Sequence, residues 1–216
     1  TLAIADSFVA LRVLASSAGA GHVIENSVFM RDPVSDPVGY SAGTFVGSAL
    51  QPTHRGLEIA AVAAGAAITV ENNLFTGTNT TSAYAGDSWR SAVYSNGGTG
   101  STLIQNNTFE NARSAINADN FSPTVTITGN DFSQGTAISV GVGSNAANVT
   151  TITNNTFDQV DTDFNFQNLT TPVVFDAVAT GNATTSEALT ILGGSAGDTL
   201  TSGTGSDFVT GNGGAD

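Results

Sequence analysis

Ile104-Gln105-Asn106-Asn107-Thr108-Phe109 is the stretch that decides the fold, because the chain repeats it elsewhere. The same order, an aliphatic residue, polar residues and then Phe, occurs earlier as Ile24-Glu25-Asn26-Ser27-Val28-Phe29 and Val70-Glu71-Asn72-Asn73-Leu74-Phe75. It follows as Ile127-Thr128-Gly129-Asn130-Asp131-Phe132 and Ile152-Thr153-Asn154-Asn155-Thr156-Phe157. From Phe to Phe the chain advances 46, 34, 23 and 25 residues. A phrase returning at such a period describes one structural unit stacked on copies of itself.

Counting back from each Phe gives the register of a strand. The seventh and fifth residues before it are His22/Ile24, Ile68/Val70, Thr102/Ile104, Val125/Ile127 and Thr150/Ile152. Strand alternation points these to one side, and their mostly apolar character makes that side the inside. On this count His22 is an inward, buried, hydrogen-bonded residue. The positions between them, such as Glu25, Glu71, Gln105, Thr128 and Thr153, form a polar outer face. Asn73, Asn107, Asn130 and Asn155 stand two before Phe, where Asn tolerates a left-handed turn and stacked amides bond from rung to rung. Further strands follow at 113–117, 135–140 and 161–166, so the shortest coils hold two or three short strands. Thr180-Gly181-Asn182 echoes Thr128-Gly129-Asn130 and marks a degraded coil near 173–184. No sustained 3.6-residue apolar stripe supports a helix.

The repeat resembles the coil of the right-handed parallel β-helix in the pectate-lyase-like superfamily, over roughly residues 20–165. The expected fold is all-β, a right-handed parallel β-helix solenoid over 1–188 with coils marked by Phe29, Phe75, Phe109, Phe132 and Phe157. That fold carries lyases, epimerases, adhesins and fibres, so the resemblance implies architecture rather than activity.

From Gly193 the sequence changes to Gly193-Gly194-Ser195-Ala196-Gly197-Asp198-Thr199-Leu200-Thr201, then Ser202-Gly203-Thr204-Gly205-Ser206-Asp207-Phe208-Val209-Thr210, then Gly211-Asn212-Gly213-Gly214-Ala215-Asp216. Asp recurs every nine residues, with Leu200 and Val209 two positions after the first two. This resembles the calcium-binding RTX nonapeptide GGxGxDxUx, although Ala196 and Ser202 stand where Gly is usual. The resemblance implies an RTX parallel β-roll over 189–216, stopping mid-repeat. Its Ca2+ ligands would come from turns containing Gly194, Asp198, Gly203, Asp207, Gly213 and Asp216. Asp198 and Asp216 would share one side, and Asp207 would lack a neighbour. It further implies type I secretion, with folding on contact with external calcium. A Gly/Asp/Thr-rich linker is the plainer alternative.

The chain of 216 residues has no Cys, no Lys, 5 Arg and 18 acids, for a net charge of −13. Such a charge argues against nucleic acid or an anionic membrane as partner and suits contact with divalent cations. No apolar run reaches the ~18 residues of a spanning helix. Thr1 to Ser17 are apolar but carry no basic leader. The expectation is therefore the interior of a longer chain or a processed product, located outside the cell or on its surface.

The two long spacings mark insertions at 30–54 and 76–89, and long loops on a rigid scaffold are where function concentrates. The candidate ligand-binding residues there, or in register with them, are Tyr40, His54, Arg55, Tyr84, Asp87, Trp89, Arg90 and Arg113. Aromatic and Arg side chains together suit sugar rings and uronate carboxylates. The simpler account is that Trp89 pins its loop to the wall. Arg90 and Arg113 occupy equivalent places, with Arg55 within one residue. Local acids such as Asp87 and Glu110, or a polyanion, must then offset their repulsion. The Tyr-Gly-x-Asp-Pro-His motif of the related alginate epimerases and lyases is missing, so no catalytic residue is assigned. The reading is a secreted, calcium-binding solenoid with a structural or adhesive role, open to acidic polysaccharide and to self-association through its ends. An alginate- or pectin-type lyase or C5-epimerase is the alternative.

Overall fold

The structure is a computed structural model, and it describes residues 3–5, 9–15, 17–31, 55–77, 91–95, 98–112, 114–118, 124–133, 136, 138–142, 150–158, 160–167, 169–182, 189–202 and 205–215. Among them every regular element is a strand. The chain lays down β1 (Ala3–Ala5) and β2 (Val9–Ala15) before the first full coil of β3 (Gly21–Glu25), β4 (Val28–Arg31) and β5 (Arg55–Val62). The next coil is β6 (Ala67–Glu71), β7 (Leu74–Gly77) and β8 (Ser91–Ser95), followed by β9 (Ser101–Gln105), β10 (Thr108–Glu110) and β11 (Ser114–Ala118). Two more coils are β12 (Thr124–Thr128), β13 (Asp131–Ser133), β14 (Ile138–Val142) and β15 (Thr150–Thr153), β16 (Thr156–Asp158), β17 (Thr162–Asn165). The chain then forms β18 (Val174–Asp176), β19 (Thr190–Leu192), β20 (Thr199–Thr201) and β21 (Phe208–Thr210).

Each strand pairs in parallel with its counterpart one coil away, giving a β-solenoid. Three sheets run along it. A Phe sheet has the order β1-β4-β7-β10-β13-β16, a five-stranded sheet β15-β12-β9-β6-β3, and a long sheet β2-β5-β8-β11-β14-β17-β19-β21. A two-stranded sheet, β18-β20, lies beside the last turns. The register matches the repeated phrase: Phe29, Phe75, Phe109, Phe132 and Phe157 are successive partners in the Phe sheet. Ile24, Val70, Ile104, Ile127 and Ile152 are partners in the five-stranded sheet. All ten are buried.

The Phe rings stack at 4.5, 5.0, 5.1 and 5.3 Å with planes within 11° of parallel. Isolated rings prefer offset or edge-on contact. Here the rung spacing of about 4.8 Å fixes the separation, because the backbone hydrogen bonds set it. The stack ends where Phe164 meets Phe157 edge-on at 4.9 Å and Phe175 tilts against Phe164 at 4.6 Å. No strand of the Phe sheet follows β16 among the described residues, and Phe164, Phe166 and Phe175 fill that level instead.

Two details differ from the expected turn. The left-handed residue is the third before Phe, not the second. Asn26, Asn72, Asn106, Gly129, Asn154 and Gly181 have φ of 51, 55, 54, 65, 54 and 73°. The second residue is free to turn inward, where Asn73, Asn107, Asn130, Asn155 and Asn182 are each at most 3% exposed. Each Oδ1 accepts the main-chain N–H of the ladder residue one rung earlier, from Ser27 to Asn73 (3.0 Å) through Asn155 to Asn182 (3.0 Å). Each Nδ2 donates back to a main-chain carbonyl of that rung: Ile24, Val70, Ile104, Ile127 and Ile152. The degraded coil at Asn182 thus keeps the ladder without keeping a Phe. The second correction is His22. It is exposed, with Nε2 3.1 Å from the carbonyl oxygen of Leu14, because β3 is the outermost strand of its sheet and no strand of that sheet covers it among the described residues.

Candidate functional site

Two places gather functional groups. The first is the outer face of the long sheet. Register puts Arg12, Glu58, Tyr94 and Asn117 in one row across β2, β5, β8 and β11. Alternation buries Leu57 and Ile59 inside, so Glu58 points outward, yet it is only 5% exposed. Two guanidiniums cover it: Arg55 Nη1 lies 3.2 Å from Oε2, and Arg12 Nε lies 3.6 Å from Oε1. The Arg55 guanidinium also sits over the Tyr94 ring, 3.5 Å from its centroid. This packing holds Arg55 in place by charge on one side and by the ring's negative face on the other.

Arg55 pairs with Ser91 in register, one residue on from Arg90. Arg113 stands directly before β11 in sequence, as Arg90 does before β8. Four of the five arginines therefore belong to, or immediately precede, strands of the long sheet. The fifth, Arg31, ends β4 in the Phe sheet, and the whole molecule carries a net charge of −13. At the corner leading into the same sheet, Asn111 is 5% exposed with φ 54°. Its Nδ2 donates to the Gly77 carbonyl at 3.1 Å, while its Oδ1 meets no donor. The partly exposed Arg12 and Arg55 guanidiniums are the groups this flank presents to solvent, whereas the Asn111 oxygen is buried beneath it.

Of the sequence-selected ligand residues, only Arg55 is among the described ones. Tyr40, His54, Tyr84, Asp87, Trp89, Arg90 and Arg113 lie outside them, as do Gly203 and Asp216. The local acid that offsets Arg55 is Glu58. Sequence reading missed Glu58, Arg12 and Tyr94. The signal was their common register, which becomes visible only once β2, β5 and β8 are aligned as successive rungs.

The second place is the C-terminal turns. β19 pairs with β21 at a separation of 18 residues (Thr190 with Phe208), two nonapeptides per turn. β18 pairs with β20, joining these turns to the last wide coil. The glycine turns at 193–197 and 211–215 lie on one another. A Cβ at Gly197 would stand 2.7 Å from the Ala215 carbonyl oxygen, and one at Gly193 would stand 2.5 Å from Asp198 Oδ2 and 3.0 Å from the Gly211 oxygen. Carbonyl oxygens and one carboxylate thus press so closely on these glycines that no side chain fits there. Asp198 is 4% exposed; Oδ2 accepts the Gly194 N–H at 2.7 Å and Oδ1 the Val173 N–H at 2.9 Å. Asp207 Oδ1 accepts the Leu189 N–H at 2.9 Å. Among the described residues no three acidic or His side chains converge as a metal-binding group. The donors available are therefore mainly backbone oxygens with the Asp198 carboxylate, a hard-oxygen set whose chemistry fits calcium.

No family model, curated protein or solved structure matches the chain. The chemistry of the two places has to carry the functional reading.

Proposed function

We propose that this chain is an extracellular solenoid with a structural or adhesive role, part of a surface layer, fibre or adhesin, exported by type I secretion and stiffened by calcium at its C-terminal turns. The observation that carries the reading is the uninterrupted set of ladders. Phe rings, aliphatic residues and Asn amides repeat from rung to rung with the same partners. Such a structure is a spacer whose strength lies along its length, since each coil is held mainly by its neighbours. The resemblance of 193–216 to RTX repeats, the stacked glycine turns and the excess of acids favour calcium as the cation that joins those turns. When bound, calcium would supply positive charge to the oxygens of those turns. Asp198 and the carbonyls of the turns at 193–197 and 211–215 are the groups that would hold it.

The test is thermal unfolding of the whole chain in EDTA, in millimolar CaCl2 and in equal MgCl2. A rise in Tm with calcium well beyond that with magnesium supports the reading, and coincident curves remove calcium from it.

A second reading has its own observation, the cluster of Arg12, Glu58, Arg55 and Tyr94 on the long sheet. Its two guanidiniums against a single carboxylate favour docking of an acidic polysaccharide along the long sheet. Affinity electrophoresis in alginate or pectate gels, comparing the natural chain with Arg55→Ala, tests the docking. Ultraviolet absorbance from unsaturated uronates, together with proton NMR for epimerisation, tests turnover. Turnover of either polymer would replace the structural role with a lyase or epimerase.

A further inference from the structure

The aspartates of the C-terminal turns bond the backbone of the preceding rung in the manner of the solenoid's asparagines, in columns beside the ladder that ends at Asn182. Along the Asn ladder, the side-chain oxygen of a later rung accepts the main-chain N–H of the rung before it, at 2.9–3.0 Å. Asp198 Oδ1 does the same to Val173 N–H across 25 residues, and Asp207 Oδ1 to Leu189 N–H across 18. Asp163, 2% exposed in β17, accepts the Thr190 N–H at 2.6 Å from the opposite direction. All three carboxylates therefore join one rung to the next through the backbone. They differ from asparagine in having no donor. Where Asn130 returns its Nδ2 to the Ile104 carbonyl, Asp198 uses its second oxygen to accept Gly194 N–H and close its own turn.

We propose that Asp198 and Asp207 are metal-independent latches that repeat the acceptor role of the Asn ladder, so that the turns through β20 are folded onto the last wide coil before any cation binds. Three observations support it. Asp198 is nearly fully buried, and a buried carboxylate persists only with donors around it. The structure supplies those donors as two main-chain N–H groups. The turn is also in register with a preformed template: β20 pairs with β18, Thr199 N–H reaches the Val173 carbonyl at 2.8 Å, and Ser195 N–H reaches that of Leu169 at 2.9 Å. Calcium would then add stiffness to turns that already exist. This differs from the folding on contact with calcium that the RTX resemblance implies, and it stands whether or not calcium binds.

Hydrogen exchange of the whole chain in EDTA reads the latch amide by amide. The amides of Asn107 and Asn130 report that the solenoid is folded. Val173, Gly194 and Leu189 are expected to be protected in EDTA alongside them. Asp198→Ala should speed exchange at Val173 and Gly194 on the order of 10- to 100-fold, the range expected for losing a bond to a charged acceptor. Asp198→Asn keeps one acceptor and should release only one of the two. Val173 and Gly194 amides that exchange freely in EDTA and gain protection only with CaCl2 would overturn the proposal. So would an Asp198→Ala chain whose exchange in EDTA matches the natural one. A flat calcium titration with protection intact in EDTA would remove calcium and leave the latch, so the two readings fail separately.

Discussion

Residues in the turn before each Phe divide the labour between neighbours. The third residue before Phe takes the left-handed backbone, and the second takes the buried amide ladder. Gly129 shows how tightly this is specified. Its φ is 65°, and a Cβ there would stand 2.6 Å from Asn106 Oδ1 on the rung before. Gly129→Ala is expected to cost about 1–2 kcal/mol from backbone handedness alone, with the contact adding to it. Adding Asn106→Gly should return the contact part, so urea unfolding of the double variant would show clear non-additivity. Additive costs would mean that the Asn106 side chain moves aside freely. The Glu58 cluster gives a second residue-scale expectation. Arg55 is held between Glu58 and Tyr94 with a side chain 22% exposed, whereas Arg12 is 58% exposed. Screening by water leaves an exposed pair about 0–1 kcal/mol. Arg12→Ala should therefore be nearly silent in urea unfolding and Arg55→Ala clearly destabilising, and equal effects would contradict the geometry.

At the scale of the element, the Asn ladder behaves as one object rather than five side chains. Asn130 accepts from the main-chain N–H and Nδ2 of Asn107 and donates to Ile104, Thr128 and Asn155. Removing it strands buried partners on both neighbouring rungs, each costing roughly 1–3 kcal/mol when left unsatisfied. Asn130→Ala is therefore expected to cost about 2–4 kcal/mol, and Asn130→Asp at least as much, since a carboxylate returns no donor to Ile104. Chemical denaturation of both variants checks the order. The Phe stack was legible in the sequence because period and register coincide there. The turn was only half legible. The phrase places Asn at both positions in most coils, and residue type alone does not say which amide faces inward.

At the scale of the molecule, stability is a chain of neighbour contacts. Unfolding is expected to depart from a single two-state transition, with probes near the C-terminal turns and probes in the Phe stack melting apart. Coincident transitions by both probes would show a more cooperative body. Calcium links to this scale by mass action: at about 100 times its dissociation constant it would add about 2.7 kcal/mol. That gain should appear in the C-terminal probe first. By itself, the sequence determined the repeat, the inward aliphatic and aromatic rows, the degraded coil at Asn182 and the change of period at Gly193. These are local patterns, and strand alternation translates them directly into faces. Only the tertiary structure decided that His22 is exposed, that Glu58 lies buried between Arg12 and Arg55 beside Tyr94, and that Asp198 reaches Val173. Apart from the Arg55–Glu58 pair, three residues apart in one strand, these depend on what stands one rung away, across separations of 25 to 46 residues that no local pattern could announce.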